Sequence, residues 1–201
     1  MESYESLIED SMEVNFACDS GDEEFIASTC SILYSKADDE DIDKLREKLG
    51  TFAEEFIAFF SKYNGAIFFK DTLSETAGLQ VHSIKNWDLI TEYMLAWYDD
   101  VDEDEFDDCE IDWLNKCVAF AEIPHSGNYF VIPLAGKLCG KILYSDHDGL
   151  ESTVYASSFN EFLTKFLSDP VKQIYELGCY ARYSDNKTNI QWIPRKTLSI
   201  S

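Results

Sequence analysis

The side chains best equipped for chemistry in this chain are its three histidines, His82, His125 and His147, with the acids and cysteines near them. Cys139, His147 and Asp146 have the right types for a nucleophile, a base and an orienting acid, because a thiol attacks only once a neighbouring base helps it to the thiolate. The setting favours a plainer origin. Ser145-Asp146-His147-Asp148-Gly149 follows a strand-like run, and Asp-Gly between strands is a hairpin signal. No nucleophile elbow and no family-type cysteine signature accompanies it. Zinc would need paired ligands at a set spacing, such as H-E-x-x-H, and none occurs. Laid on a calcium-binding loop, Asp100, Asp102 and Asp104 fall on positions 1, 3 and 5. Glu105 then stands where the sharp turn needs Gly, and Ile111 where the bidentate Glu belongs. Phosphate-cradling glycine motifs are absent. The residues therefore lead to no catalytic group, no metal site and no cofactor.

The charge is more informative. The chain carries 16 Lys and Arg against 39 Asp and Glu over 201 residues, a formal charge of −23. Residues 1–113 hold 31 acids and 7 bases, whereas residues 114–201 hold 8 acids and 9 bases, so the first part carries essentially all of the net charge. Nucleic acids and anionic membranes bind through clustered Lys and Arg, so this composition argues against both and points to a basic protein as the natural complement. Ten of the fourteen residues from Asp99 to Asp112 are acidic. That run has two readings. It is a solvated, self-repelling loop, or it is an electrostatic lure for a cationic partner, with Phe106 and Trp113 supplying apolar contact area.

A folded scaffold must position these groups. Hydrophobic residues make up 45% of the chain, enough for a core. Six scattered cysteines without a C-x-x-C pair read as small core residues of a reducing compartment. The acidic amino terminus lacks the layout of a signal peptide, and no apolar run reaches the ~20 residues that cross a bilayer; the expectation is a cytoplasmic protein. Tyr4, Leu7, Ile8 and Met12 have helical spacing, and Phe25, Ile26, Ile32 and Leu33 suggest a second amphipathic helix after a turn-rich stretch at 18–22. Ile42, Leu45 and Leu49 mark a helix whose acids precede its bases, as the helix dipole prefers. Thr51 and Glu54 form a capping box, opening a helix with Phe52, Phe56, Phe59 and Phe60 on one stripe and a stop at Asn64-Gly65. Strands are expected at 66–69 and 79–84. Asn86 caps a helix bearing Trp87, Ile90, Met94, Leu95 and Trp97. Four strands then follow at 117–123, 128–134, 141–144 and 153–156, linked by turn signals. Ser158 and Glu161 make a second capping box, and Pro170 and Gly178 frame a last helix. The tail from Cys179 is polar, with Trp192 and Ile193 as docking contacts. The order gives an α+β fold with an antiparallel-dominated sheet and helices packed at one side and at both ends, in one domain over 1–201.

From Asp41 to about Pro170 the chain resembles the SUKH superfamily, also called the SMI1/KNR4 family. Four pieces carry the likeness: Phe59-Phe60-Ser61-Lys62-Tyr63-Asn64-Gly65-Ala66; Val118-Ala119-Phe120-Ala121 with Gly127-Asn128-Tyr129-Phe130-Val131-Ile132-Pro133-Leu134; Gly140-Lys141-Ile142-Leu143-Tyr144-Ser145-Asp146-His147-Asp148; and Ala156-Ser157-Ser158-Phe159-Asn160-Glu161-Phe162-Leu163. The acidic stretch around 99–112 and both ends lie outside them. The resemblance implies a non-enzymatic binding protein. Many bacterial members are immunity proteins that neutralise toxins, often nucleases, and fungal members act as regulatory scaffolds on endogenous partners. An acidic inhibitor suits a basic toxin. The expected partner is thus a cognate cationic toxin, bound by a monomer, with no nucleic acid or membrane involved. The expected contact set is Trp97, Tyr98, Asp99, Asp100, Asp102, Glu103, Asp104, Glu105, Phe106, Asp107, Asp108 and Trp113.

Overall fold

A computed structural model describes residues 4–74, 78–98, 113–114, 116–147, 151–179, 184–188 and 191–198. Helix α1 (Tyr4–Asp10) leads into the hairpin β1 (Glu13–Ser20) and β2 (Glu23–Leu33). Helices α2 (Asp39–Leu49) and α3 (Ala53–Phe60) follow, then β3 (Ala66–Asp71), β4 (Leu79–Val81) and α4 (Trp87–Leu95). The meander β5 (Cys117–Ile123), β6 (Asn128–Pro133), β7 (Ile142–Asp146) and β8 (Glu151–Ala156) precedes α5 (Phe159–Ser168), α6 (Pro170–Glu176) and β9 (Ile193–Leu198). All nine strands form one sheet in the order β8-β7-β6-β5-β4-β3-β2-β1-β9, and each pairing is antiparallel. The α+β expectation holds.

One face of the sheet carries the main core. Phe56, Phe59 and Phe60 of α3 meet Phe159, Phe162 and Phe166 of α5 over Phe120 and Phe130 of the sheet, all nearly inaccessible. Phe159 is the hub, its ring stacked on Phe56 at 4.1 Å and edge-on to Phe59, Phe120 at 5.4 and 5.8 Å, arrangements that aromatic quadrupoles favour. The opposite face is covered only in part. Ile90 and Met94 of α4, with Trp113, pack on Ala119, Tyr129, Val131 and Leu143. These alternate with Val118, Phe120, Phe130, Ile132 and Ile142, which face the main core, as the two-residue strand period requires. All of β6 is consequently buried.

Several local expectations are borne out by geometry. Helix α2 carries acids in its first turn and Arg46 and Lys48 in its last, as expected, and Asp38 adds a cap by accepting from the Asp41 amide at 2.8 Å. Ser158 accepts from the Glu161 amide at 3.2 Å, and Glu161 reaches back to the Ser157 amide at 2.8 Å. These bonds hold the Glu161 carboxyl below the ordinary carboxylate range. Pro170 opens α6. Gly65, at φ 107°, is needed where it stands: a Cβ there would lie 2.6 Å from the Val81 carbonyl oxygen.

Other expectations are corrected. Residues 25–33 are strand, not helix. The inward face of β2 is built from Ala27, Thr29 and Ser31, and its hydroxyls donate to the Val14 and Ser11 carbonyls at 2.7 and 2.8 Å. Polar residues thus occupy core positions at little cost, because their hydrogen bonds are made, and the strand's alternation is hidden. Thr51 does not cap α3; it sits in a short 3₁₀ turn, Gly50–Phe52. Phe52 is 39% exposed, off the aromatic stripe, with its ring against Gly140. Asn86 likewise provides no side-chain cap; its segment is a 3₁₀ turn, Ile84–Asn86, and strand β4 ends earlier than expected, at Val81. The tail forms β9, and Trp192 docks in the core against Phe25 at 4.9 Å.

Candidate partner-binding groove

Strand register creates a row of polar side chains across the α4-bearing face. Gln80 pairs with Glu122, Glu122 with Tyr129, and Tyr129 with Ser145. Directly opposed residues on neighbouring strands point to the same side. Gln80, Glu122 and Tyr129 of this row line an open groove of about 710 Å³, walled by α4 and by the β5–β6 turn. All three histidines line it, together with Leu89, Tyr93 and Trp97 from the α4 side.

Each wall is fixed by an identifiable bond. A bulge between Ala119 and Ala121 interrupts the β5–β6 ladder. Such a bulge leaves a backbone group unpaired. Here the Thr91 hydroxyl accepts from the Ala119 amide at 2.9 Å and donates to the Trp87 carbonyl at 2.6 Å, which ties α4 to the sheet. The Trp87 indole donates to the His82 carbonyl at 3.0 Å. His82 Nε2 lies 3.0 Å from Glu122 Oε1, and the Gln80 amide nitrogen lies 3.4 Å from His82 Nδ1. With Gln80 donating to Nδ1, the His82 proton sits on Nε2 and points at Glu122.

Asn128 fixes the other side. Its carbonyl oxygen accepts from the His147 backbone amide at 3.1 Å and from His147 Nδ1 at 2.8 Å, while its amide donates to the Tyr144 hydroxyl at 2.6 Å. His147 therefore lies 4.8 Å, ring to ring, from Trp97. Both rings rest on Gly127 (φ 84°), where a Cβ would come within 3.0 Å of His147 and 3.2 Å of Trp97. The Tyr129 hydroxyl is hydrogen-bonded to the Trp97 side chain, whose indole N–H is the donor; burial and the nearby Glu122 charge push Tyr129 above its usual range, so it remains protonated at neutral pH. His125, in the turn, has φ 61°.

The expected contact residues fare differently. Trp97 is 48% exposed on the rim. Tyr98 is half-buried, its hydroxyl 2.7 Å from Ser145 Oγ. Asp99, Asp100, Asp102, Glu103, Asp104, Glu105, Phe106, Asp107 and Asp108, with the possible calcium-loop positions, lie outside the described residues. Trp113 is corrected: at 1% exposure it belongs to the second core, edge-on to Tyr98 with 6.5 Å between ring centroids, and offers no surface to a partner. Sequence reasoning singled out His82 but missed Glu122, Tyr93 and Tyr129; strand register sets Glu122 beside Tyr129, and α4 supplies Tyr93.

Among the described residues no cysteine-based reacting centre is assembled. Cys139 and His147 flank β7 at its opposite ends. Cys18 and Cys117 have thiols that burial pushes up to about 12, far from the thiolate a nucleophile requires. Among the described residues no group of three or more His, Cys, Asp or Glu is placed to hold a metal ion, and no helix is long and apolar enough to cross a membrane.

No curated protein is similar enough to the chain to count as a relative. Residues 36–165 match the SMI1 / KNR4 family (SUKH-1). The match runs from the segment before α2 into α5, and so takes in both the aromatic core and the groove, while β1, β2 and β9 extend the same sheet outside it. With well over half its length matched over these elements, the chain belongs to the SMI1 / KNR4 family (SUKH-1).

Proposed function

We propose that this protein is a non-enzymatic immunity protein that binds and neutralises a cognate, basic toxin inside the cell that makes both. One observation carries the reading. The acidic stretch 99–112, the densest negative charge in the sequence, joins Tyr98 to Trp113, and these two rings meet each other on the α4 face. Family membership supports it, and so does the charge of −23. Among the described residues, ion pairs such as Lys44–Glu40 and Arg46–Asp43 lie on α2. Inhibition by occlusion needs no bond-making residue: carboxylates steer the toxin in and orient it, and exposed aromatics supply buried contact area. Trp97, Tyr98 and the acids 99–108, with Phe106, form the proposed contact region.

The test is protection. In cells expressing a cognate toxin identified by its binding to this chain, the chain is expected to restore growth, and the Cys139→Ala variant to protect equally well. Growth arrest despite stable expression would overturn the immunity reading, and loss of protection in Cys139→Ala alone would restore a role for a reacting thiol.

A further inference from the structure

We infer that the α4 groove is a receptor for a guanidinium, the side chain of an arginine presented by the partner protein. The inference deepens the proposed function and rests on its claim of a cationic protein partner. Three observations converge on it. Among the described residues neither Lys nor Arg lines the groove; its basic side chains are the three histidines. Its one carboxylate, Glu122, is partly sheltered, with its side chain 23% exposed. Only Glu122 Oε1 has a partner among the described residues, the His82 Nε2–H, and Oε2 has none. The His82 ring holds this carboxylate in place through that one oxygen. Finally, the surrounding surface is aromatic. Tyr93 is 57% and Trp97 48% exposed, and Trp97 lies against His147.

A carboxylate beside aromatic faces is what a planar cation selects. Guanidinium donates N–H groups in its plane to Glu122 Oε2, while its face lies on an aromatic ring, where the ring quadrupole attracts positive charge. Lysine, a strongly hydrated point charge, gains less from such a flat site. The proximity is real within the fold: Glu122 and Tyr129 are cross-strand partners, and Tyr129 is bonded to Trp97. Trp97 stands two residues before the acidic run begins at Asp99 in the sequence.

The test uses the whole protein and capped single residues as probes. Amide and indole NMR signals are followed while N-acetyl-arginine methylamide is added, with the lysine and citrulline analogues as controls. Citrulline keeps the shape and loses the charge. The arginine probe is expected to shift the Trp97 indole, Glu122 and Gly127 signals along saturating curves, and citrulline to leave them in place. Glu122→Gln is expected to weaken the arginine probe about tenfold or more, the loss of one charge-assisted hydrogen bond. Tyr93→Ala, at an exposed position, is expected to weaken it about threefold. Shifts confined to 99–112, or equal responses to arginine and citrulline, would overturn the receptor while leaving the toxin reading intact. Saturating groove shifts in a protein that fails to protect cells would do the reverse.

Discussion

Replacing Asp100, Asp102, Asp104 and Asp107 with lysine is expected to slow association with the cognate toxin by about 10- to 1,000-fold at low salt. The substitutions change the charge by eight units within eight residues, in the part of the sequence that holds most of the excess negative charge. Two oppositely charged proteins meet faster than uncharged ones because their fields bias diffusion before contact, and the bias fades as ions screen it over about 8 Å at physiological strength. Raising salt should therefore slow the unmodified protein in the same direction and leave the variant almost indifferent. Dissociation should change far less, since rim charges act chiefly on the encounter. Stopped-flow mixing across a salt series reads all of this. Equal association rates for the two proteins, insensitive to salt, would show the acidic run to be solvation alone.

The second large effect is on stability. Phe159→Ala is expected to cost about 3–5 kcal/mol. The residue is 1% exposed and its ring meets those of Phe56, Phe59, Phe60, Phe120 and Phe162. It is also the first residue of α5, so it joins α3, α5 and the centre of the sheet. Removing the ring leaves a cavity between elements far apart in sequence, which cannot collapse by a local adjustment. Urea denaturation should show the midpoint falling by roughly 1–2 M, taking a slope near 3 kcal/mol/M. Phe52→Ala, at 39% exposure, serves as the matched control and should cost much less. A similar loss for both would mean that the aromatic cluster does not dominate the core.

The contrast between these two phenylalanines shows what the sequence can and cannot disclose. Phe52, Phe56, Phe59 and Phe60 share one helical stripe on paper, yet the helix starts a residue later, after a 3₁₀ turn that rotates Phe52 outward. Elements whose signals are local were legible: the Ser158 cap, the Pro170 start and the β5–β8 meander with its turns. Strand β2 was not, because Thr29 and Ser31 occupy its core-facing positions and satisfy their hydroxyls on a neighbouring segment, where hydropathy cannot see them. Strand β9 was missed for a related reason, since its Arg195, Lys196 and Thr197 are exposed and it pairs with β1, nearly the whole chain away. The groove was illegible in principle. His82, His125 and His147 are scattered along the sequence, and what joins them is the cross-strand alignment of β4, β5, β6 and β7. Trp97, through its place beside the acidic run, and the three histidines, as candidates for chemistry, were the residues of the groove that the sequence singled out.

The central claim is that the α4 face and its acidic neighbour receive a cationic protein. Hydrogen exchange of the purified toxin complex tests this most directly, because protection marks the surfaces that lose water. The account predicts slowed exchange in α4 through residue 98, in the turn at 124–127 and across 99–108, with β1, β2 and β9 unchanged. Protection confined to the β1–β2–β9 part of the sheet, with α4 and the acidic run exchanging as in the free protein, would contradict it.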